Sequence, residues 1–149
     1  NAYYRQNLLL YAKLCGCEII DIDCHAVDGD YAPEQAYSVL TGYLDRNGCP
    51  FTGLVVNSGL AAKGALLALA EHGIDVPGEV SVIGVGSGEA ARLFNPPVTV
   101  VQGLQEENRI AAGVDRHFRD PQSGLIAIPS RAVLELRKSV RNINREELS

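Results

Sequence analysis

The chain has 149 residues, 46% of them hydrophobic and 6% aromatic, with no Trp or Met, four Cys and a formal charge of -5. That length suits one domain with a core of Leu, Val, Ile and Ala. Duplex DNA as a direct ligand is excluded, because its affinity rests on concentrated Lys and Arg, and no apolar run approaches the roughly 20 residues that cross a bilayer.

Residues 4–14 carry Tyr4, Leu8, Tyr11 and Ala12 at helical spacing, and Gly16 ends that helix. Residues 18–23 read as a short strand with an acidic end, and residues 26–31 as a loop. Pro33 opens the next helix, where its missing N–H costs nothing. Ala36, Val39, Leu40, Tyr43 and Leu44 form that helix's apolar stripe, and Asn47-Gly48 stops it. Leu54-Val55-Val56 is an apolar run of the kind found in a parallel strand covered on both faces. Residues 60–71 form an Ala/Leu helix capped by Gly73, and Gly64 inside it implies a close approach of helix to sheet. A strand follows at 80–85, a short helix at 89–94, a strand at 98–101 and a helix at 104–118. Residues 126–136 hold one strand, or two broken at Pro129, and residues beyond 141 fray. Strict alternation of this kind predicts an α/β fold, a parallel sheet with helices on both faces. Ligands of such sheets bind beyond the carboxyl ends of the strands, here 23–31, 57–59 and 86–88.

Catalytic and metal chemistry find little support. Cys15-Gly16-Cys17 has one residue between thiols where zinc sites use two to four, and Cys24 and Cys49 complete no tetrahedron. His25, His72 and His117 are scattered; His72 falls in the last turn of a helix, where an imidazolium suits the dipole. Asp21, Asp23, Asp28 and Asp30 bunch near a strand end, but their spacing is not that of an EF-hand loop. Gly84-Val85-Gly86-Ser87-Gly88 resembles part of a dinucleotide fingerprint, yet Glu89 stands where the third Gly belongs. Positive φ or a close backbone approach explains these glycines without a nucleotide. No metal or cofactor is expected. The basic residues Arg131, Arg137, Lys138, Arg141 and Arg145 are diluted by Glu135, Glu146 and Glu147 and read as a solvated end. Leu8 to Ala12 is too short for a signal peptide, so a cytoplasmic location is the expectation.

Two phrases in order, Val76-Pro77-Gly78-Glu79-Val80-Ser81-Val82-Ile83-Gly84-Val85 and Asn95-Pro96-Pro97-Val98-Thr99-Val100-Val101, carry a family resemblance. Leu134-Glu135-Leu136-Arg137-Lys138-Ser139 adds a Leu-x-x-Arg-x-Ser ending. Together they resemble the lactose-repressor (LacI) type of bacterial transcription regulator, in the second subdomain of its periplasmic-binding-protein-like, effector-sensing region. Arg5 matches an Arg that lies over the family's sugar site, with Leu8 and Leu9 replacing the Gly-aromatic pair that follows it. Gly29-Asp30-Tyr31-Ala32 matches the family's Gly-Asp-aromatic-Ser, which implies that Tyr31 stacks on the ligand; Tyr37 matches a later aromatic. Asn57, Ser58 and Gly59 fall where the family has Ala-Asn-Asp, and Gly86, before Ser87, falls where it has another Asp.

Two carboxylates that accept sugar hydroxyls are therefore replaced by Gly. An edge that keeps Arg5 and loses two acids is more electropositive. It implies an anionic or less polyhydroxylated effector, among sugars, sugar acids and sugar phosphates, or an edge that no longer binds one. The resemblance further implies a homodimer that contacts DNA only through a head domain outside this chain, and no membrane partner. It divides the chain into a subdomain core (1–97), a segment crossing to a missing subdomain (98–124), a returning last strand (125–140) and a tail (141–149). Without its normal bed, the apolar face of helix 104–118 is expected to self-associate or to dock on the remaining sheet. Half of a periplasmic sugar receptor and a small nucleotide-binding enzyme are the competing readings.

Overall fold

The structure, a computed structural model, describes residues 2–24, 32–86, 89–103, 115–116, 118–120 and 132–142, with the backbone alone for residues 2–7. In chain order come helix α1 (Ala2–Leu14), helix α2 (Pro33–Asn47), strand β1 (Gly53–Val56), helix α3 (Ala62–Glu71), strand β2 (Ser81–Val85), a short 3-10 helix (Ala90–Leu93), strand β3 (Thr99–Gly103) and strand β4 (Ala132–Glu135). The strands form one sheet in the order β1-β2-β3-β4. The first three are parallel and β4 runs antiparallel to β3. The α/β class follows the alternation of elements. The sheet is mixed rather than wholly parallel, because the last strand returns alongside β3 in the opposite sense.

Glycine sets the helix ends as the pattern predicts. Gly16 and Gly73 both adopt φ of +70°. After α3, the N–H of Gly73 donates to Ala70 O and the N–H of Ile74 to Leu69 O, both at 3.0 Å. After α1, Gly16 N–H reaches Lys13 O at 3.2 Å and Cys17 N–H reaches Ala12 O at 2.9 Å. Both pairs are Schellman motifs, in which a left-handed residue lets the chain satisfy the last carbonyls of a helix. Gly48, at φ +66°, closes α2 with a 2.8 Å bond to Leu44 O.

Ala36, Leu40 and Leu44 are the buried face of α2, and Leu66, Ala68 and Leu69 join them from α3. Register places Leu54, Val82, Val56, Gly84 and Val100 on the sheet face that meets this helix pair. The other face carries Val55, Ile83, Val85, Val101 and Leu134. Among the described residues, the helices packed on the sheet lie on the first face. The predicted helix at 104–118 is largely outside the described residues; 115–116 and 118–119 are helical.

Gly64 answers a different neighbour from the one its sequence context suggests. A Cβ there would fall inside the carbonyl of Pro33 and 2.9 Å from the amide nitrogen of Tyr37. The close approach is helix to helix, not helix to sheet. Two side-chain links tie the same pair: Tyr37 Oη donates to Glu71 Oε2 at 2.6 Å, and His72 Nε2 lies 3.1 Å from Asp45 Oδ1.

The predicted strand at 18–23 is not formed. Those residues are coil, although Ile22 packs against the core and Gln35 Nε2 donates to Cys24 O at 2.6 Å. β1 is consequently the sheet's outer strand, and its burial alternates between exposed and half-buried. Cover on both faces, expected from Leu54-Val55-Val56, is not met among the described residues. An apolar run marks a buried strand only when neighbours exist to bury it.

The ending Leu134–Ser139 is a plug for the sheet. Val82 lies one step before the first β2–β3 pair, Ile83 with Thr99, so its backbone groups need another partner. Ser139, fully buried, supplies it: Val82 N–H donates to Ser139 O at 2.7 Å, and Ser139 Oγ donates to Val82 O at 2.6 Å. The same hydroxyl oxygen accepts the N–H of Thr99 at 2.8 Å. Arg137 adds a bond from its N–H to Thr99 Oγ1 at 2.9 Å and from Nη1 to Val98 O at 2.8 Å, and its Nη2 meets Glu135.

Candidate functional site

Parallel strands bring their carboxyl ends to one edge. There β1 runs into Asn57, Ser58 and Gly59, and β2 runs into Gly86. The two loops are tied together, since Gly59 N–H donates to Val85 O at 3.0 Å. Gly86, at φ +98°, donates its N–H to Val101 O at 2.8 Å. A Cβ on Gly84 would lie 3.1 Å from Gly59 Cα and 3.4 Å from Val100 Cγ1. Gly84 therefore lets the 57–59 loop lie flat on β2, and its backbone is covered rather than offered to a phosphate. This accounts for Gly84 and Gly86 without a dinucleotide; Ser87 and Gly88 lie outside the described residues.

Ser58 shapes the start of α3. Its Oγ accepts the N–H groups of Leu60 at 3.2 Å and Ala61 at 3.4 Å, and its carbonyl accepts Ala62 N–H at 3.2 Å. Ala61, which precedes the helix, has no side chain able to do this. In these contacts the hydroxyl oxygen acts only as an acceptor. A Ser ahead of an Ala/Leu helix is itself a capping signal.

Of the residues singled out from sequence, the structure gathers Asn57, Ser58, Gly59 and Gly86 at this edge. Asn57 is exposed there, and Gly59 is buried beneath the loop. Arg5 lies in α1, described by backbone alone, and Tyr31 lies outside the described residues. The bond from Gln35 to Cys24 O holds the chain at the amino-terminal turn of α2. Burial, then the Asp23 carboxylate, pushes the Cys24 thiol above its ordinary range. Tyr37, matched to a later aromatic of the family, donates to Glu71; that bond raises the phenol and joins α2 to α3. Among the described residues no three His, Cys, Asp or Glu side chains sit close enough to share a metal ion. An open groove of about 320 Å³, lined by the polar Asp75 and Asn95 as well as by apolar residues such as Leu66, Ile74 and Pro96, takes in none of the edge residues.

Residues 5–108 match the model of a family described as periplasmic binding protein-like domain. The transcriptional repressor PurR of Actinobacillus pleuropneumoniae (serotype 3, strain JL03) is 30% identical over 128 residues, 79% of this chain and 36% of that protein. PurR of Edwardsiella ictaluri is 33% identical over 94 residues, 63% of this chain and 27% of that protein. The match thus spans only 36% and 27% of the length of these two repressors. Among solved structures, a LacI family regulator (CCPA) of Weissella paramesenteroides with bound sucrose is 28% identical with a TM-score of 0.60, covering 77% of this chain and 42% of that one. The same regulator with bound glucose is 25% identical with a TM-score of 0.68, covering 94% and 49%.

Proposed function

This chain belongs to the periplasmic binding protein-like domain family, in the form carried by LacI-type transcriptional regulators, and on that premise we propose that it is the effector-sensing part of such a regulator. The observation that carries the reading is the edge where the Asn57–Gly59 loop is hydrogen-bonded onto β2 beside Gly86. Ligands of open α/β sheets bind at such edges. An effector held there shifts a two-state arrangement that a DNA-binding head reads. Arg5 supplies a guanidinium fork and Tyr31 a flat stacking ring. Asn57 and the Ser58 hydroxyl supply neutral donors.

With Gly at 59 and 86, the edge favours an anionic effector such as a sugar acid or sugar phosphate over a neutral polyol. Self-association into a homodimer draws on exposed apolar residues, Leu60 just ahead of α3 and Leu67 in its middle, each about half exposed, and on Leu93. This function needs no catalytic step, and a regulator of this kind works in the cytoplasm. No helix among the described residues is long and apolar enough to cross a membrane.

A thermal-shift series on the protein, run with neutral hexoses and pentoses, sugar acids and sugar phosphates, tests the reading. One acidic or phosphorylated class raises Tm, and Arg5→Ala or Tyr31→Ala abolishes the rise. A ligand present at 100 times its Kd adds about 2.7 kcal/mol, so the shift is readily measured. Larger shifts from neutral sugars than from any acid overturn the anionic assignment. No shift in any class overturns effector sensing at this edge.

A further inference from the structure

α2 and α3 are joined near one end of the pair by the approach of Gly64 to Pro33. At the other end His72, the C-cap residue of α3, makes two contacts. Its Nδ1 lies 2.7 Å from Ala68 O, one turn back on its own helix. Its Nε2 lies 3.1 Å from Asp45 Oδ1 on α2. Both partners are acceptors. A neutral imidazole has one N–H and one lone pair, so it satisfies one of them and turns a lone pair on the other. An imidazolium donates to both.

We propose that His72 is a proton-operated latch between α2 and α3. Charged, it donates to the α3 backbone and to the Asp45 carboxylate together. Once deprotonated it keeps its remaining N–H on Ala68 O, the shorter contact, and turns a lone pair on Asp45, so the polar tie between the far ends of the two helices is lost while the Leu40 and Leu44 packing and the Tyr37–Glu71 bond remain. The charged groups facing the ring are Asp45 from α2 and Glu71 from α3, and both are acidic. The carbonyl end of α3 adds the negative pole of its dipole. The backbone bond to Ala68 and then the Asp45 bond hold the imidazole above its ordinary value, against a smaller opposing effect of burial. A group raised on folding stabilises fully below its unfolded value, about 6.5, and that stabilisation fades as pH rises through the folded value. The latch opens as pH rises through the raised folded value, at the end of the helix whose other end carries Ser58 and Gly59. It stands whether or not that edge binds an effector.

The test is an NMR titration of the histidine ring signals of the full chain, with the His72 signal assigned by its loss in His72→Gln, paired with melting curves from pH 5.5 to 8.5. His72 titrates above 6.5, and Asp45→Asn lowers its midpoint by about half a unit or more. The fall of Tm with rising pH is shallower in both variants than in the parent. Asp45 is largely exposed, so Asp45→Asn folds and keeps the test decisive if His72→Gln does not. A midpoint at or below 6.5, or one unmoved by Asp45→Asn, overturns the latch.

Discussion

Val82 and Val55 stand on neighbouring strands, yet Val82 is fully buried and Val55 is 49% exposed. Alternation along the strands separates them. Val82 shares its face with Gly84 and Val100 and meets the α2–α3 pair, whereas Val55 shares the other face with Ile83, Val101 and Leu134. One face has a helix pair locked by a glycine contact, a tyrosine–carboxylate bond and a histidine. The other has apolar residues in similar number and no comparable partner among the described residues. Among the described residues, the helix cover of the sheet is therefore on one face, although Thr99 on the other face is also fully buried. The difference lies in what covers the strands more than in the strands themselves.

The sharpest way to break the comparison is to wedge the closed face apart. Gly64→Ala sets a methyl group against the backbone of Pro33 and Tyr37, where no flexible side chain gives way. It destabilises by about 3 kcal/mol, the upper end of what overpacking costs, as read by urea unfolding. A smaller loss comes from Ser139→Ala. It strips the hydroxyl that serves Val82 O and Thr99 N, two buried backbone groups, and costs about 1–3 kcal/mol; hydrogen exchange at Thr99 registers the same opening. Smallest of all is Leu134→Gln on the open face, within about 0.5 kcal/mol of the parent. A loss from Leu134→Gln as large as that from Gly64→Ala would mean that the open face is covered in solution, and the contrast between the faces would fail.

Much of the closed face is legible in the sequence. The stripe Ala36, Leu40 and Leu44 and the stops at Gly16, Gly48 and Gly73 are local signals, and they place the helices within a residue or two. The three parallel strands follow from short apolar runs between those helices. What local signals do not carry is pairing. Residues 18–23 have the composition of a strand, but a ladder needs a partner at the right distance, and none forms there. For the same reason Leu54-Val55-Val56 looks doubly covered, and among the described residues it is not. Gly64 signals a close approach without naming the neighbour, since helix and sheet impose the same demand for a missing Cβ. At the candidate edge, the loop positions 57–59 and 86 follow from the element order. The duty of Ser58 as a cap and of Gly84 as a floor for Gly59 depends on contacts between loops distant in sequence. Arg137 and Ser139 are visible only as a motif, and their backbone partners supply its reason.

The plug formed by Ser139 closes a gap in β2 that lies 57 residues earlier in the chain. During synthesis α2, β1, α3 and β2 leave the ribosome before β4 and Ser139, so the apolar partners of β2 on the helix pair are available before residue 139 is. The amide and carbonyl of Val82 on the β3 side wait through all of that interval. The order in which the polypeptide emerges thus runs against the order in which the sheet is sealed, and the side of β2 that waits longest is the one a foreign strand would find open.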